Sequence, residues 1–402
     1  MITGKKLGKY ADVLLWGLRT ARAEKYRHGD IVLVRYDGPT VALAEILQGR
    51  LLDMGLNPVL RGGLTPLMEH NFYGKANARQ LAFVAPGERK LCENLHGTIS
   101  LLAPESLTHL SDIDPRRIGK AAVARKYLRD ILQEREDFGM FGWTLCMMPT
   151  DELAKQAGLT TRQYANQLVR ACYLDKPDPV GEWKSIHRKA IRIKEWLNSL
   201  EVKELHVESR NIDLKIRPGE KRKWVGISGH NIPSFEIFLS PDWRGTEGVY
   251  YANLPSFRSG NYVKGVRLTF RRGSVVAIEA EKGRDFAAKQ LSMDPGAKRV
   301  GEFSLTDKRF SRINRFMANT LFDENFGGKE GNCHLAVGAS YSDTFDGEPQ
   351  KLTKEKKKEL GFNDSALHWD LVNTEPKRVT ALLQNGKQKV IYEKGMFTNA
   401  HQ

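Results

Sequence analysis

The sequence has few cysteines and no long apolar run. Its 4 cysteines are Cys92, Cys146, Cys172 and Cys333. Four cysteines are too few for a disulfide-stapled fold of this length. None of them forms a CxxC pair, which excludes a zinc–thiolate knuckle and a thioredoxin motif. No stretch approaches the roughly 20 apolar residues that span a bilayer, and the lysines of residues 1–8 precede no apolar segment. We therefore expect a cytoplasmic protein with reduced thiols and no membrane partner.

Loops that cradle phosphate groups are also missing. The chain contains no GxxxxGK[ST] segment and no GxGxxG after a predicted strand, and it has no GxSxG elbow. A nucleotide site therefore has little support, and a serine-hydrolase site of the elbow type has none.

The composition is that of an ordinary folded protein with a basic excess. Hydrophobic residues make up 41% of the chain, which excludes disorder throughout its length. Lys+Arg 63 against Asp+Glu 48 gives a net charge of +15, which invites a nucleic-acid partner. The basic segments have simpler explanations, however: Lys351–Glu359 is typical of a solvated loop or helix start, and Arg267–Arg272 of a hairpin edge. We do not expect nucleic-acid binding.

The first half of the chain alternates helix and strand signals. Apolar residues recur at helical spacing over 7–18 and 41–54, and short apolar runs occupy 31–34 and 58–60. Because a strand–helix–strand unit joins parallel strands, this order predicts a parallel sheet. Further strands are predicted at 98–102 and 140–148, and further helices at 115–136, 150–157, 160–174 and 180–200.

After Leu200 the pattern changes to short strands separated by polar turns. Strands are predicted at 205–207, 213–216 and 224–227, and a hairpin at 266–280. The predicted fold class is α/β, with a domain boundary near residue 200. We expect an N-terminal α/β domain with a largely parallel sheet over 1–200 and a C-terminal mixed α+β catalytic domain over 201–402.

One strand-like segment offers a histidine and an aspartate together. His368 and Asp370 alternate with Leu367, Trp369 and Leu371, so on a strand they would share one face. A nitrogen and a carboxylate on one face could serve a metal ion. Taken alone, a plain hydrogen-bonded pair is the more common explanation of this pattern.

Other candidate ligands stand in apolar surroundings in the second half. Glu236 lies among Phe and Ile residues and Glu302 follows Val-Gly, although glutamate is almost never fully buried without a partner. Glu236 and Glu302 could instead occupy exposed strand positions. His334 could be a hydrogen-bonded core histidine, Glu324 could cap a turn, and Tyr341 could be a core residue. Together, three glutamates, two histidines and an aspartate would suit a pair of divalent cations, the recurring device for activating water.

The same segments resemble a known family of enzymes. Asn231-Ile232-Pro233-Ser234-Phe235-Glu236 is similar to the Asn-Leu-Pro-Thr-x-Glu segment of the M29 metallo-aminopeptidases, the thermophilic aminopeptidase and aminopeptidase T/S group. The Leu321–Asn325 segment, His334 with Gly338, and His368-x-Asp370 follow in the family's order. The resemblance extends over almost the whole chain and leaves no expected ligand missing.

The resemblance implies a two-metal aminopeptidase that removes the N-terminal residue of peptides through a metal-activated water. It implies that Glu302 or Glu324 transfers a proton to the leaving amine. It also implies that the Tyr341 hydroxyl donates a hydrogen bond to the oxyanion that forms on the substrate. Substrates with a free N-terminus are implied, as are a homodimer and an N-terminal domain that helps enclose the site. The metals could be zinc, cobalt, manganese or magnesium. The implied metal ligands are Glu236, Glu302, Glu324, His334, His368 and Asp370.

Two other functions remain open at this stage. The net charge of +15 would suit a nucleic-acid-binding or scaffolding protein with a vestigial metal site, but a decayed site should have lost at least one ligand. A two-metal phosphoesterase would use the same ligands, and the missing phosphate-cradling loop argues against it only weakly.

Overall fold

The computed structural model describes residue 2 and residues 4–398, which fall into two compact units. The first unit contains the chain up to Trp183, and the second contains most of the remainder. The predicted boundary near residue 200 stays a prediction, and the outer ends of both predicted domains, Met1 and Gln402, lie outside the described residues. Ser228–Pro233 and Ser259–Asn261 also belong to the first unit, and Lys184–Ile227, Ser234–Arg258 and the chain from Tyr262 onward form the second.

Helices and strands alternate in the first half of the chain, and strands dominate the second. In chain order the elements are α1 (Lys5–Thr20), β1 (Ile31–Tyr36), α2 (Val41–Asp53), β2 (Asn57–Gly62), α3 (Pro66–Lys75), α4 (Ala78–Ala82), α5 (Glu88–Asn94), β3 (Gly97–Leu102), α6 (Pro115–Ala124), α7 (Lys126–Asp137), β4 (Gly142–Met147), α8 (Asp151–Gln156), α9 (Thr161–Ala171), α10 (Pro179–Asn198), β5 (Val202–Ser209), β6 (Asp213–Ile216), β7 (Asn231–Ile232), β8 (Glu236–Leu239), β9 (Glu247–Ala252), β10 (Ser256–Arg258), β11 (Asn261–Val263), β12 (Val266–Arg271), β13 (Ser274–Glu279), α11 (Arg284–Leu291), β14 (Val300–Thr306), α12 (Thr320–Asp323), β15 (Asn332–Gly338), α13 (Lys354–Glu359), β16 (His368–Asn373), β17 (Lys377–Leu383), β18 (Gln388–Glu393) and β19 (Met396–Phe397).

The first unit is built on the predicted parallel sheet. Its strand order is β2-β1-β3-β4-β7, and every neighbouring pair is parallel. The helix predicted over 7–18 is present as α1, which buries Leu7, Leu14 and Leu18. The helix predicted over 41–54 is present as α2, and Gly55 follows it with a φ of 71°, the left-handed conformation that ends many helices. The α/β class is confirmed.

Two of the predicted elements are wrong. The helix predicted over 115–136 is divided into α6 and α7 at Arg125, whose φ of −99° and ψ of 0° depart from helical values. The strand predicted over 224–227 is absent from the described structure. Only an isolated bridge joins Val225 to Phe238, because Gly226 and Ile227 have φ values of 125° and 51° and leave the extended conformation.

The second unit contains two antiparallel sheets. An eight-stranded sheet has the order β13-β12-β9-β6-β5-β17-β18-β19, and a four-stranded sheet has the order β16-β15-β14-β8. The two are joined by Tyr250 of β9, whose buried hydroxyl donates to the carbonyl oxygen of Leu371 on β16 at 2.7 Å. The predicted hairpin over 266–280 is present as β12 and β13.

The four cysteines form no disulfide with one another in the described structure. Cys92, Cys146, Cys172 and Cys333 are all buried and carry free thiols. No helix within residues 4–398 combines the length and apolar character that a membrane crossing requires.

Gly226 tests how tightly the segment beside β8 is packed. A Cβ at this position would lie 2.1 Å from the carbonyl oxygen of Glu236, and the φ of 125° is strained for other residues. We expect Gly226→Ala to lower the free energy of unfolding by about 1–3 kcal/mol, measured by urea denaturation. In the control Gly49→Ala, on α2, the Cβ meets no atom within 4 Å, and helix propensity should raise stability by about 0.5–1 kcal/mol. An unchanged midpoint for Gly226→Ala would contradict the close approach.

Candidate metal centre

One face of the four-stranded sheet collects the predicted ligands. Glu302 on β14 lies opposite Ala336 on β15, which in turn lies opposite Asp370 on β16. Side chains directly opposite on neighbouring strands point to the same face, so the three form a row across the sheet. Because the central member is only a methyl group, space remains between the two carboxylates.

The strands place the two histidines on the same face. His334 lies two residues before Ala336, and His368 lies two residues before Asp370, so each histidine shares the face of its partner along the strand. Glu236 enters from β8, where it lies opposite Thr306 of β14. The pleat of the sheet therefore accounts for the convergence of side chains that come from four separate strands.

A first group of donor atoms surrounds the Nε2 atom of His334. Glu302 Oε1 lies 2.9 Å from this nitrogen and Glu236 Oε2 lies 3.3 Å from it. One donor atom from each of these three buried residues lies within 4.8 Å of the others. Ser234 donates from its Oγ to the other oxygen of Glu236, Oε1, at 3.3 Å, which helps to orient the carboxylate.

A second group of donor atoms lies next to the first. His368 Nε2 is 3.2 Å from Asp370 Oδ1 and 3.9 Å from Glu302 Oε2. The other ring nitrogen of His368, Nδ1, is 2.9 Å from the carbonyl oxygen of Ala339, which fixes the ring. Glu302 therefore presents one oxygen to His334 and the other to His368.

Glu324 and Tyr341 lie beside these groups. Glu324 directly follows α12, is buried, and is close enough to Glu236, Asp370 and Glu302 to interact with them electrostatically. The ring of Tyr341 stacks at a tilt against His368, with 4.7 Å between the ring centroids. Tyr341 is 44% exposed, so it forms part of the accessible wall of the site.

The two imidazoles are protonated at neutral pH when no cation is bound. Burial lowers the pKa of His334, but the Glu302 hydrogen bond and the charges of Glu236 and Asp370 outweigh it and raise the pKa to about 9. Burial also lowers the pKa of His368, but the negative charges of Asp370 and Glu302 outweigh it and raise the pKa to about 9. Each ring then carries a positive charge that partly offsets the carboxylates.

The neighbours of each carboxyl group decide whether its pKa is raised or lowered. Burial, with the negative charges of Glu302 and Asp370, raises the pKa of Glu236 to about 8 despite the opposing effect of His334. Burial and the surrounding carboxylates hold the pKa of Glu324 well above its usual range. Burial would also raise the pKa of Asp370, but the two histidines and Arg258 outweigh it and keep that pKa well below the usual range.

The Tyr341 hydroxyl is protonated at neutral pH. Desolvation of the hydroxyl raises its pKa well above the usual tyrosine range, and the negative charges of Glu302, Asp370 and Glu324 raise it further. A protonated hydroxyl at the wall of a negatively charged site can donate a hydrogen bond to a bound group.

The donor set fits divalent cations. Two ligand atoms held about 2.0–2.2 Å from one ion lie roughly 3–4 Å apart, as the atoms of both groups do. His334 Nε2 cannot satisfy two carboxylates through one proton, whereas a cation between the three can. In the described structure the other nitrogen of His334, Nδ1, is buried and has no hydrogen-bond partner, so Nε2 is the nitrogen directed to the carboxylates.

Two residues that support the site were not predicted from the sequence to do so. Asn325 accepts a hydrogen bond from the backbone N–H of Phe235 and donates to Glu324 Oε1 at 3.4 Å, linking two ligand segments. Arg258 donates to the carbonyl oxygen of His368 at 2.8 Å. A single arginine at the end of a short strand carries no pattern that sequence analysis could have used.

Comparisons with known proteins agree with the donor set. The profile of the family described as thermophilic metalloprotease (M29) matches residues 3–397. Aminopeptidase 2 of Geobacillus stearothermophilus is 28% identical over 355 residues, 83% of each chain. Aminopeptidase T of Thermus aquaticus is 29% identical over 307 residues, which are 71% of this chain and 72% of that protein.

A solved structure has the same fold. Wild-type AmpT from Thermus thermophilus superposes with a TM-score of 0.79 at 21% identity, covering 97% of this chain and 99% of that chain. The fold is therefore shared over nearly the full length.

Cation binding should displace protons from the site. Because the pKa values of Glu236, His334 and His368 are raised to about 8, 9 and 9, these groups hold protons at pH 7 that a cation must replace. We expect zinc binding to the metal-free protein at pH 7 to release more than one proton per chain. The apparent affinity should then rise by more than about tenfold per pH unit as the pH increases from 6 to 8.

Calorimetric titration in two buffers of different ionisation enthalpy measures this proton release. His334→Ala should reduce the number of protons released. The control His206→Ala should not, because His206 lies on β5 and pairs with Asp213 at 2.7 Å, outside the site. Zinc binding without proton release would contradict the protonation of the site.

Proposed function

This chain belongs to the thermophilic metalloprotease family M29 and is a metal-dependent peptide hydrolase, and we propose that it is an aminopeptidase with two metal ions. The observation that carries the two-metal proposal is the position of Glu302. Its Oε1 lies 2.9 Å from His334 and its Oε2 lies 3.9 Å from His368. A carboxylate shared in this way suits two cations, one on each side of it.

The proposed ligands divide into two sets. Glu236, Glu302 and His334 would hold one cation, and Glu302, His368 and Asp370 would hold the second, with Glu324 next to both. Nitrogen and oxygen donors suit zinc, cobalt, manganese and magnesium. When bound, such ions lower the pKa of a water molecule and polarise a carbonyl group.

Two side chains would carry out the proton transfer and stabilise the charge on the substrate. Because both oxygens of Glu302 face histidines, Glu324 is the better candidate to take a proton from the attacking water and pass it to the leaving amine. The Tyr341 hydroxyl would donate to the negative charge that develops on the scissile carbonyl oxygen.

The substrates we propose are peptides with a free N-terminus. The relatives Aminopeptidase 2 and Aminopeptidase T support this choice through their names, and the negative field of the site suits an α-ammonium group. We extend the proposal to a homodimer, which the family resemblance implies, and to a cytoplasmic location, which the cysteine usage and the lack of a long apolar run favour.

Metal removal tests the aminopeptidase proposal. Exhaustive chelation should abolish hydrolysis of leucine p-nitroanilide, and added zinc, cobalt, manganese or magnesium should restore it, since the carboxylates and imidazoles need a cation to act. N-acetylated leucine p-nitroanilide should not be cleaved, because its amide cannot occupy the place of a free amine. Treatment with metal-saturated chelator is the control. Full activity after metal removal, or equal cleavage of blocked and free substrates, would refute the proposal.

A second test separates Tyr341 from the ligands. Tyr341→Phe should retain its metal while kcat falls by roughly 10²–10³, with little change in KM, because the hydroxyl acts mainly in the transition state. His368→Ala should instead lower the metal content itself. The control Tyr127→Phe changes an exposed tyrosine on α7. Metal analysis and steady-state kinetics on the three variants decide the roles, and a wild-type kcat for Tyr341→Phe would remove Tyr341 from the mechanism.

A further inference from the structure

Arg258 is held at the strand that carries two of the proposed ligands. Its Nη1 donates to the carbonyl oxygen of His368 at 2.8 Å, and its Nε donates to Gln290 Oε1 at 3.3 Å. The guanidinium carbon lies 5.9 Å from the centroid of the Trp369 ring. These contacts fix a half-buried cation against the strand that carries His368 and Asp370.

The charge of Arg258 has no close counter-ion. A guanidinium has five N–H donors, and within the described part of the chain the acceptors assigned to it are two neutral oxygens. Among the described residues, no carboxylate oxygen lies within 4.0 Å of a guanidinium nitrogen of Arg258, the distance at which an ion pair forms. Asp370 feels the positive charge electrostatically, so Arg258 lies within range of the site without being neutralised there.

A half-buried guanidinium without a counter-ion is able to form a charged hydrogen-bonded pair with an incoming anion. The planar fork of an arginine matches a carboxylate in two parallel hydrogen bonds, which a backbone carbonyl and a side-chain amide cannot supply. The group that would complete Arg258 is therefore a carboxylate that arrives with a ligand.

We propose that Arg258 forms a subsite for a substrate carboxylate, so that the enzyme prefers substrates that carry one near the scissile bond. The inference rests on the proposed aminopeptidase function. The carboxylate has two sources in such substrates: the C-terminus of a dipeptide, or the side chain of an acidic N-terminal residue. The chemistry that Arg258 recognises is the same in both cases.

The test compares matched substrates that differ only in the carboxylate. One arm measures kcat/KM for Leu-Gly against Leu-Gly-amide, and the other for glutamyl against glutaminyl p-nitroanilide. The wild-type enzyme should prefer the acid in at least one arm by roughly 10- to 100-fold, the usual range for a charged hydrogen-bonded pair. The preference should appear mainly in KM, and the arm that shows it identifies the source of the carboxylate.

Two changes at the subsite should reduce the preference. Arg258→Met should bring the ratio of acid to amide towards one, and Arg258→Lys should retain part of it, because a lysine keeps the charge without the fork. Gln290→Glu should also reduce the ratio, since it supplies a carboxylate to Arg258 from within the chain. The control Arg271→Met, at an exposed position on β12, should leave the ratio at its wild-type value.

The ratio separates the subsite from general damage, because a variant that merely loses metal or packing slows both members of a pair equally. Metal content and thermal unfolding are measured on each variant, and Gln290→Glu and Arg258→Lys decide the matter if Arg258→Met does not fold. Wild-type ratios near one in both arms, or a ratio unchanged in the variants, would overturn the subsite. Failure of the metal-loaded wild type to cleave leucine p-nitroanilide would instead overturn the aminopeptidase proposal.

Discussion

Negative charge gathered on a buried sheet face is the constraint on which the second unit depends. Glu236, Glu302 and Glu324 are each less than a tenth exposed, and Asp370 lies in the same group. Like charges at this spacing disfavour one another in a medium of low polarity. Protonated imidazoles and protonated carboxyl groups reduce the repulsion in the absence of a cation, and divalent ions would remove it. The tight ladder of β8, β14, β15 and β16 holds the donors in place against that repulsion.

Much of the organisation follows from local pattern. The alternation around His368 and Asp370 predicted a strand with both side chains on one face, and β16 has that form. Helical spacing in 7–18 and the apolar run at 31–34 predicted α1 and β1 because each is a self-contained periodic segment. Glu236 and Glu302 were conspicuous because carboxylates in apolar stretches need a partner.

The rest depends on pairings between distant segments. The row of Glu302, Ala336 and Asp370 arises from the register of three strands. That register depends on how the strands pair and on the turns between them, and one strand alone does not determine it. Arg258 reaches the site from β10, and its role depends on the carbonyl oxygen it meets. The strand predicted over 224–227 is absent because Gly226 takes a positive φ that hydropathy cannot signal.

The small size of the Ala336 side chain matters for recognising which related proteins are active. Its methyl group stands between Glu302 and Asp370, and any longer side chain there would fill the space where their charges meet. A related protein with a larger residue at this position could keep every ligand and still lose its hydrolytic activity. An inventory of ligands alone would count such a protein as intact, so the size of the residue at 336 is evidence about activity that the ligands do not contain.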